Sequence, residues 1–318
     1  MNRFNVIMTA PKLAAPAVAL LEAAGCTIHY MRPYPTADEV TELTRSIQAD
    51  AILTRQGPVT AAAMDASSRL KVVARHGVGV DDVDIKAAAA RGILVTRAPG
   101  SNTQAVAEHA LAMILALSKS LPELSAAIGG GAWRGANTQV RDIAGLRLGL
   151  VGFGAIGQAV ARLGQAFGMT ASAFDPAGPA IPGITRAPSL NALLETSDVL
   201  SLHCPLIPAT HHLIGAAALA RMPAGAIVIN TARGGIIDEA ALEAAIDSGH
   251  IAGAGLDVFE TEPPPADHPL RRHPRVIVTP HVAGVTAGSL VNMGVMAAEC
   301  IAAALTGGIV PPERIVRA

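Results

Sequence analysis

Aromatic residues, clusters of one charge and paired cysteines are all scarce in this chain of 318 residues. Aromatic side chains make up 3% of the sequence and hydrophobic residues 51%, so Ala, Val, Ile and Leu must fill the cores. The formal net charge of −1 and the lack of a dense Lys/Arg block argue against nucleic acid or an anionic membrane as the main partner. Cys26, Cys204 and Cys300 form no CxxC pair, which indicates reduced thiols that bind no metal. The sequence predicts no metal site.

Long hydrophobic runs typical of targeting or membrane segments are also missing. The apolar residues before Lys12 are too few for the core of a signal peptide. The longest uncharged stretch, residues 282–298, contains three glycines together with Thr, Ser and Asn, which indicates a buried helix rather than a membrane span. We therefore expect a soluble, cytoplasmic protein.

Short β-rich runs alternate with Ala-rich helical stretches through most of the chain. The apolar runs are nearly continuous, which is typical of parallel strands covered on both faces. Four of them precede a long helical pattern at residues 105–119, and six follow it. The pattern predicts an α/β protein with two doubly wound parallel-sheet domains, a flavodoxin-like first domain and a six-strand dinucleotide-binding second domain. The predicted strands are residues 5–9, 51–54, 72–75, 94–96, 147–151, 170–174, 199–202, 226–230, 253–257 and 276–279.

The segment VGFGAIG, residues 151–157, stands between a predicted strand and a predicted helix. Gly152, Gly154 and Gly157 have the GxGxxG spacing, which allows a tight turn, close approach of backbone to a pyrophosphate, and close helix–strand packing. The helix N-terminus, at Ala155 and Ile156, adds free N–H groups for the phosphates.

Asp175 lies 18 residues after Gly157, at the end of the next predicted strand. A carboxylate there accepts hydrogen bonds from both ribose hydroxyls of the cofactor. A 2′-phosphate would meet this carboxylate with no arginine nearby, so we expect NAD to be preferred over NADP. Comparable turnover with NADPH would contradict this preference.

Three more polar residues follow consecutive predicted strands. They are Arg233 in INTARGG, Glu262 in DVFETEPP and His281 in VTPHVAG. Because the carboxyl ends of parallel strands meet at one edge of a sheet, we expect these side chains to gather beside the nicotinamide. Taken singly, each also fits an ordinary surface or strand-end residue. Together, a cation, a carboxylate and an imidazole suit hydride transfer to a 2-keto acid.

These motifs resemble, in their order along nearly the whole chain, the D-isomer-specific 2-hydroxyacid dehydrogenase family. The matching segments are GVGVDDVD (77–84), NTQAVAEHALAMILAL (102–117), VGFGAIG, LHCPLIPATHHLIG (202–215), NTARGG, DVFETEPP and TPHVAG. The resemblance implies a Rossmann NAD-binding domain at 101–285, inserted into a discontinuous, flavodoxin-like substrate domain made of 1–100 and 286–318. It also implies a homodimer formed through the nucleotide-binding domain, for which the helix at 106–117 and the arm around Trp133 offer a surface.

The resemblance also implies roles for the three polar residues. Arg233 matches the arginine that holds the substrate carboxylate and polarises the keto oxygen. His281 matches the acid/base, and Glu262 the carboxylate that orients the imidazole and favours its protonated form. The other cofactor-side residues that it marks are His203, Pro205, Thr231, Ala232 and Asp257. Among them we expect His203 to be mainly a structural hydrogen-bonding residue and Asp257 to support the site. The family often has Arg where this chain has Ala155, which predicts weaker cofactor binding.

On the substrate side, the resemblance assigns the amides of Val78 and Gly79 to the substrate carboxylate. Arg55 and Arg75 stand at the ends of predicted strands, as in family members that act on phosphorylated substrates. A surface salt bridge is the alternative for each arginine. The expected partner is thus a small anionic 2-keto or 2-hydroxy acid, with no metal involved.

The expected activity is that of a D-3-phosphoglycerate dehydrogenase-like, NAD-dependent oxidoreductase. A glyoxylate/hydroxypyruvate reductase is the alternative on the same residues. A formate dehydrogenase is disfavoured, because that branch carries Gln where Glu262 stands. The non-enzyme alternative is an NADH-sensing protein of the corepressor type, which stoichiometric NADH binding without turnover would favour.

Overall fold

A computed structural model describes residues 4–133, 139–178 and 182–317 of the chain. Contacts divide the chain into two compact units. The first consists of residues up to Asn102 together with those from Val285 onward, and the second is Thr103–Gly284. The sequence-based division fell after residues 100 and 285.

The described residues form parallel strands separated by helices. The strands are β1 Phe4–Met8, β2 Cys26–Tyr30, β3 Ala51–Thr54, β4 Val72–Arg75, β5 Leu94–Thr96, β6 Arg147–Val151, β7 Thr170–Phe174, β8 Thr185–Arg186, β9 Val199–Leu202, β10 Ala226–Asn230, β11 Ile251–Leu256 and β12 Val276–Val278. The α-helices are α1 Ala15–Ala23, α2 Ala37–Ile47, α3 Ala61–Asp65, α4 Ile85–Ala90, α5 Thr103–Ser118, α6 Leu121–Gly129, α7 Ala155–Ala166, α8 Leu190–Leu194, α9 Ala216–Leu219, α10 Glu239–Asp247 and α11 Ala287–Thr306. Short 3-10 helices cover Gly234–Ile236, Pro269–Arg271 and Pro312–Arg314.

The first unit contains a five-stranded parallel sheet in the order β2-β1-β3-β4-β5, which is the flavodoxin-like order. Successive residues of a strand point to opposite faces, so Val6 and Met8 enter one apolar cluster and Ile7 the other. The predicted α/β architecture is confirmed. Strand β2 was not predicted, because CTIHY lies at the sheet edge, is mostly half-buried and has no continuous apolar run.

Helix α11 starts where Thr286 and Ser289 form a capping box. Its Ala297 and Ile301 are buried in the cluster that contains Ala17 of α1. Within the described residues it is the one helix that by itself has the length and apolar composition of a membrane span, and 44% of that stretch is buried inside the protein. The same composition is therefore accounted for by a core helix.

The second unit contains a seven-stranded parallel sheet in the order β12-β11-β10-β9-β6-β7-β8. Six of these strands were predicted. The seventh, β8, is two exposed residues paired with β7, and so carries no hydrophobic signal. The strand order reverses between β6 and β9, and in open α/β sheets the ligand crevice lies at this reversal, beyond the carboxyl ends of the strands.

Helix α5 is covered by its own unit, with Val106, Leu111, Met113 and Ile114 all buried. These four side chains are therefore used inside the protein, whereas Ala112 is exposed and residues 115–117 are partly exposed. A subunit contact through 106–117 stays a prediction. Residues 134–138 of the expected arm lie outside the described residues. Trp133 itself is described and is 81% exposed.

Candidate active site

The glycine turn joins β6 to α7 with almost no space between neighbouring backbones. Gly152 has φ 89°, and a Cβ there would lie 2.6 Å from the Cys204 nitrogen. A Cβ at Gly157 would lie 2.4 Å from the Gly152 carbonyl oxygen. Around Gly154, in contrast, a Cβ would meet nothing within 4 Å, and Gly154 caps α7 without a side-chain hydrogen bond. The turn therefore presents open backbone and first-turn N–H groups, including those of Ala155 and Ile156, and this arrangement fits a dinucleotide pyrophosphate.

Asp175 lies directly after β7 and is fixed by backbone donors. Its Oδ2 accepts from the Phe153 N–H at 2.7 Å and its Oδ1 from the Ala177 N–H at 2.9 Å. The expectation that no arginine lies nearby is wrong. The guanidinium of Arg186, which β8 places beside β7, donates to the carbonyl oxygens of Asp175 at 2.7 Å and Gly178 at 2.9 Å. Arg186 thus fastens the loop that carries the carboxylate.

His203 follows β9 as a hydrogen-bonding residue of the sheet edge. Its N–H donates to the Val151 carbonyl oxygen at 2.7 Å, and its Nε2 lies 2.9 Å from the Ser201 hydroxyl. Burial lowers the pKa of His203 to about 4, so the ring is neutral at neutral pH. These contacts agree with the structural role expected for it. Pro205 is exposed two residues later.

Thr231 and Ala232 follow β10 on the same sheet edge. The Thr231 hydroxyl is buried and has no hydrogen-bond partner among the described residues. Since buried hydroxyls are almost always bonded, this oxygen fits contact with a bound ligand. The Ala232 N–H donates to the Asn230 side chain at 3.0 Å.

The backbone at Arg233 is fixed by two contacts of neighbouring residues that were not predicted from the sequence. The buried Asn230 side chain donates to the Arg233 carbonyl oxygen at 2.8 Å. A Cβ at Gly234 would lie 1.9 Å from the Phe259 carbonyl carbon, so only glycine permits this contact between the segment carrying Arg233 and the loop after β11. The observed arrangement of the two loops therefore depends on Asn230 and Gly234.

Glu262 and His281 meet beyond β11 and β12. The His281 Nδ1 lies 2.7 Å from the Glu262 Oε2, and the Glu262 Oε1 accepts from the Phe259 N–H at 3.0 Å. Burial opposes ionisation of Glu262. The hydrogen bond and charge of His281, the Phe259 N–H and the charge of Arg233 outweigh burial and lower the pKa of Glu262. The imidazole is half exposed, and its Nε2 has no hydrogen-bond partner within the described part of the chain.

Asp257 anchors the turn that carries His281. Its side chain is 1% exposed and accepts from the Thr279 hydroxyl at 2.5 Å and from the Val282 and Ala283 N–H groups at 2.8 Å each. Its carbonyl oxygen accepts from the His281 N–H at 2.8 Å. This turn gives His281 a φ of 53°, in the left-handed region. The structure thus shows a positioning role for Asp257, and a direct cofactor contact stays a prediction.

His109 of α5 was missed by the sequence reasoning. Its Nε2 lies 3.0 Å from the Thr279 hydroxyl and 3.8 Å from the Asp257 Oδ1. A histidine in a largely apolar helix was the available signal, and the residue that it contacts is 170 positions away.

In the first unit, Arg75 is engaged by its own loop. Its guanidinium donates to the Gly79 carbonyl oxygen at 2.8 Å and the Arg55 carbonyl oxygen at 2.9 Å, and it pairs with Asp82 at 2.6 Å. The structure therefore places Arg75 in a salt bridge, which was the alternative predicted for it. Its contacts with Gly79 and Asp82 hold the loop at 77–82 in shape. A direct substrate contact stays a prediction for Arg75.

The loop at 77–82 also has backbone N–H groups that could bind an anion. The N–H groups of Val78 and Gly79 donate to no residue in the described ranges. The Arg55 guanidinium is half-buried and forms no hydrogen bond or ion pair there. Burial, followed by the charges of Arg55 and Arg75, lowers the pKa of His76 to about 4, so His76 adds no charge at neutral pH. Free amides and an uncompensated guanidinium favour an anionic ligand.

The sequence pattern of the D-isomer specific 2-hydroxyacid dehydrogenase, NAD binding domain, matches residues 111–283. The chain is 43% identical to D-3-phosphoglycerate dehydrogenase of Mycobacterium tuberculosis over 311 residues, which cover 96% of this chain and 58% of that protein. It is 38% identical to hydroxypyruvate reductase of Thermotoga maritima, over 83% of this chain and 87% of that one. The chain thus spans little more than half the length of the phosphoglycerate dehydrogenase.

The fold is shared with solved structures. A crystal structure of a Thermus thermophilus protein is 37% identical, with a TM-score of 0.89 over 98% of this chain and 99% of that chain.

The lowered pKa of Glu262 makes the stability of the fold depend on pH. Since the folded-state pKa lies below the ordinary value of 4.5, ionised Glu262 stabilises the fold above about pH 4.5, and this contribution is lost as the pH falls through the folded value. Glu262 is 37% exposed, so solvent screens the effect to below about 1 kcal/mol. We expect the difference in unfolding free energy between wild type and Glu262→Gln to be positive near neutral pH and to shrink in acid, as measured by urea denaturation.

Glu243→Gln is the matched control, since the Glu243 side chain makes no hydrogen bond or ion pair in the described residues. Its difference from wild type should not change with pH. A Glu262→Gln difference that grows in acid would contradict the expectation.

Proposed function

Because the chain belongs to the D-isomer-specific 2-hydroxyacid dehydrogenase family, we propose that it is an NAD-dependent dehydrogenase. It transfers a hydride between NAD(H) and C2 of a small 2-hydroxy or 2-keto acid. The observation that carries the proposal is the 2.7 Å contact of His281 with Glu262, beyond the carboxyl ends of two adjacent strands of the NAD-binding sheet.

The residues at the glycine turn hold the cofactor in this proposal. The amides around Gly154 receive the pyrophosphate and the Asp175 carboxylate receives the ribose hydroxyls. NAD is preferred over NADP because a 2′-phosphate would face that carboxylate, while Arg186 donates to backbone carbonyls of the same loop. When bound, the reduced nicotinamide supplies the hydride.

His281 supplies the proton in the reductive direction and removes it in the oxidative direction. Its Nδ1 is committed to Glu262, so Nε2 is the nitrogen that faces the keto oxygen. The hydrogen bond to the Glu262 carboxylate fixes the orientation of the ring and the nitrogen that is free to exchange a proton. As the hydride reaches C2, the Nε2 proton passes to the developing alkoxide and leaves a neutral imidazole.

Arg233 binds the substrate carboxylate and polarises the keto oxygen. A guanidinium presents two parallel N–H donors, which match a carboxylate. Asn230 holds the backbone of Arg233, and the close contact at Gly234 keeps its segment against the loop that carries Glu262. Preorganised donors of this kind contribute roughly 3–4 kcal/mol to transition-state stabilisation.

A phosphorylated substrate of the D-3-phosphoglycerate dehydrogenase type ranks first. The 43% identity to the mycobacterial enzyme supports it, together with the unpaired guanidinium of Arg55 and the free amides of Val78 and Gly79 in the first unit. Hydroxypyruvate reduction ranks second. It is supported by the similarity to hydroxypyruvate reductase of Thermotoga maritima, because the chain covers 87% of the length of that protein.

Replacing His281 tests the chemistry. His281→Asn is the suitable variant, because Asn tolerates the left-handed φ of this position but cannot act as an acid or base. We expect kcat for keto-acid reduction to fall by about 10²–10⁴-fold while NADH still binds. The measurement is NADH oxidation with glyoxylate, pyruvate, hydroxypyruvate and phosphohydroxypyruvate, beside NADH fluorescence titration.

His29→Asn serves as the control, since its imidazole lies in β2 and contacts Asn5. It should retain wild-type turnover. Near wild-type reduction by His281→Asn would overturn the proposed mechanism, and NADH binding by the wild type with no turnover on any keto acid would favour the NADH-sensing alternative.

Replacing Arg55 tests whether the substrate carries a phosphate group. If this guanidinium binds a phosphate, Arg55→Gln should raise the KM for phosphohydroxypyruvate at least about tenfold, which corresponds to about 1.4 kcal/mol, and leave the KM for hydroxypyruvate nearly unchanged. Arg45→Gln, an exposed arginine of α2 paired with Glu42, is the control. Equal effects of Arg55→Gln on both substrates would argue against a phosphate contact.

We also propose a cytoplasmic homodimer formed through the NAD-binding unit, with a small acid rather than a nucleic acid or a membrane as its partner. Helix α6 has no buried residue, and Leu121, Ile128, Trp133 and Val140 are exposed in this region. Several large apolar side chains exposed in one segment favour a protein contact. The three free cysteines suit a reducing compartment, which recovery of the protein from a secreted fraction would contradict. Light scattering should give the mass of a dimer, and a monomer would contradict the proposed assembly.

A further inference from the structure

Two adjacent histidines and a glutamate converge on the surface of the second unit, outside the residues proposed for catalysis. The Nε2 atoms of His211 and His212 lie 3.6 Å and 3.2 Å from the same Glu260 Oε1. The two rings stack with their centroids 4.0 Å apart and an interplanar angle of 24°. All three side chains are exposed, so the cluster is open to solvent. Neither histidine was assigned a role from the sequence, and no metal site was predicted.

The distances between the potential ligand atoms are close to those expected around one tetrahedral metal ion. They all lie within 4.8 Å of one another. With metal–ligand bonds of about 2.0–2.1 Å, two ligand atoms of a tetrahedral zinc site are about 3.3–3.4 Å apart. The observed separations of 3.6 Å and 3.2 Å bracket this value. Side-chain rotations that unstack the two rings would direct both Nε2 lone pairs at one cation beside the Glu260 carboxylate.

Both sides of the cluster are held in place by the protein. The Thr210 hydroxyl donates to the Pro205 carbonyl oxygen at 2.7 Å, and the His212 N–H donates to the Gly235 carbonyl oxygen at 2.8 Å. On the other side, the Glu260 N–H donates to the Glu239 Oε1 at 2.8 Å. The backbone that carries the ligands is thus already ordered, which lowers the entropic cost of binding.

We propose that His211, His212 and Glu260 form a binding site for a first-row divalent cation of the Zn²⁺ type, with water completing the coordination. Two imidazoles and a carboxylate select Zn²⁺, Co²⁺, Ni²⁺ or Cu²⁺ over Mg²⁺ or Ca²⁺, which prefer oxygen ligands. Because Glu260 stands two residues before Glu262, a bound cation joins the turn at 207–212 to the loop of the proposed catalytic carboxylate. The site does not depend on the proposed dehydrogenase activity.

The test is a Co²⁺ titration of the tag-free 318-residue chain after removal of metals with a chelator. The visible ligand-field absorption of bound Co²⁺ gives stoichiometry and affinity, and Zn²⁺ should displace the Co²⁺. We expect one site per chain in the wild type. His211→Ala, His212→Asn and Glu260→Gln should each weaken Co²⁺ binding at least about tenfold, since even outer-shell changes cost 10–100-fold. Asn is used at position 212 because the φ of 49° there is left-handed.

His29→Ala and His273→Ala are the controls. His29 contacts Asn5 in the first unit, and His273 pairs with the single carboxylate of Asp247. Both variants should bind Co²⁺ as the wild type does. Wild-type affinity in Glu260→Gln and His211→Ala, or loss of the absorption in either control, would overturn the proposal. Circular dichroism melting confirms that each variant is folded, and the three single variants test the site independently.

Discussion

The buried carboxylate of Asp257 is the constraint on which the rest of the candidate site depends. A carboxylate removed from water is tolerated only when hydrogen bonds replace its hydration. Here those bonds come from the Thr279 hydroxyl and from the two N–H groups that follow His281. Satisfying Asp257 therefore forces the chain after β12 into a tight turn. That turn carries the imidazole of His281 into contact with Glu262.

Much of this arrangement was predictable because parallel sheets obey simple geometric rules. Continuous apolar runs identified most strands, and the carboxyl ends of adjacent strands must share one edge. Glu262 and His281 follow β11 and β12, so the sequence indicated that they would lie near each other. The glycine spacing at 152–157 likewise encodes its own geometry, since each glycine stands where a side chain has no room or where backbone must stay open.

What the sequence could not give are contacts between residues far apart in the chain and elements without an apolar pattern. The edge strands β2 and β8 have few buried side chains, so no hydrophobic run marks them. Arg186 reaches Asp175 only because β8 pairs with β7. Arg75 could be a substrate ligand or a structural cation from its position alone, and its pairing with Asp82 appears only in three dimensions.

The most direct measurement of the central claim is the turnover of Asp257→Asn. The substitution keeps the shape of the side chain but replaces one acceptor with a donor that faces an N–H or hydroxyl group. We predict that NADH binding stays within a few-fold of wild type while kcat falls at least about tenfold, or about 1.4 kcal/mol in the barrier. Asp247→Asn, at an exposed position, should behave as wild type. Wild-type kcat in Asp257→Asn would show that the turn of His281 does not depend on this carboxylate.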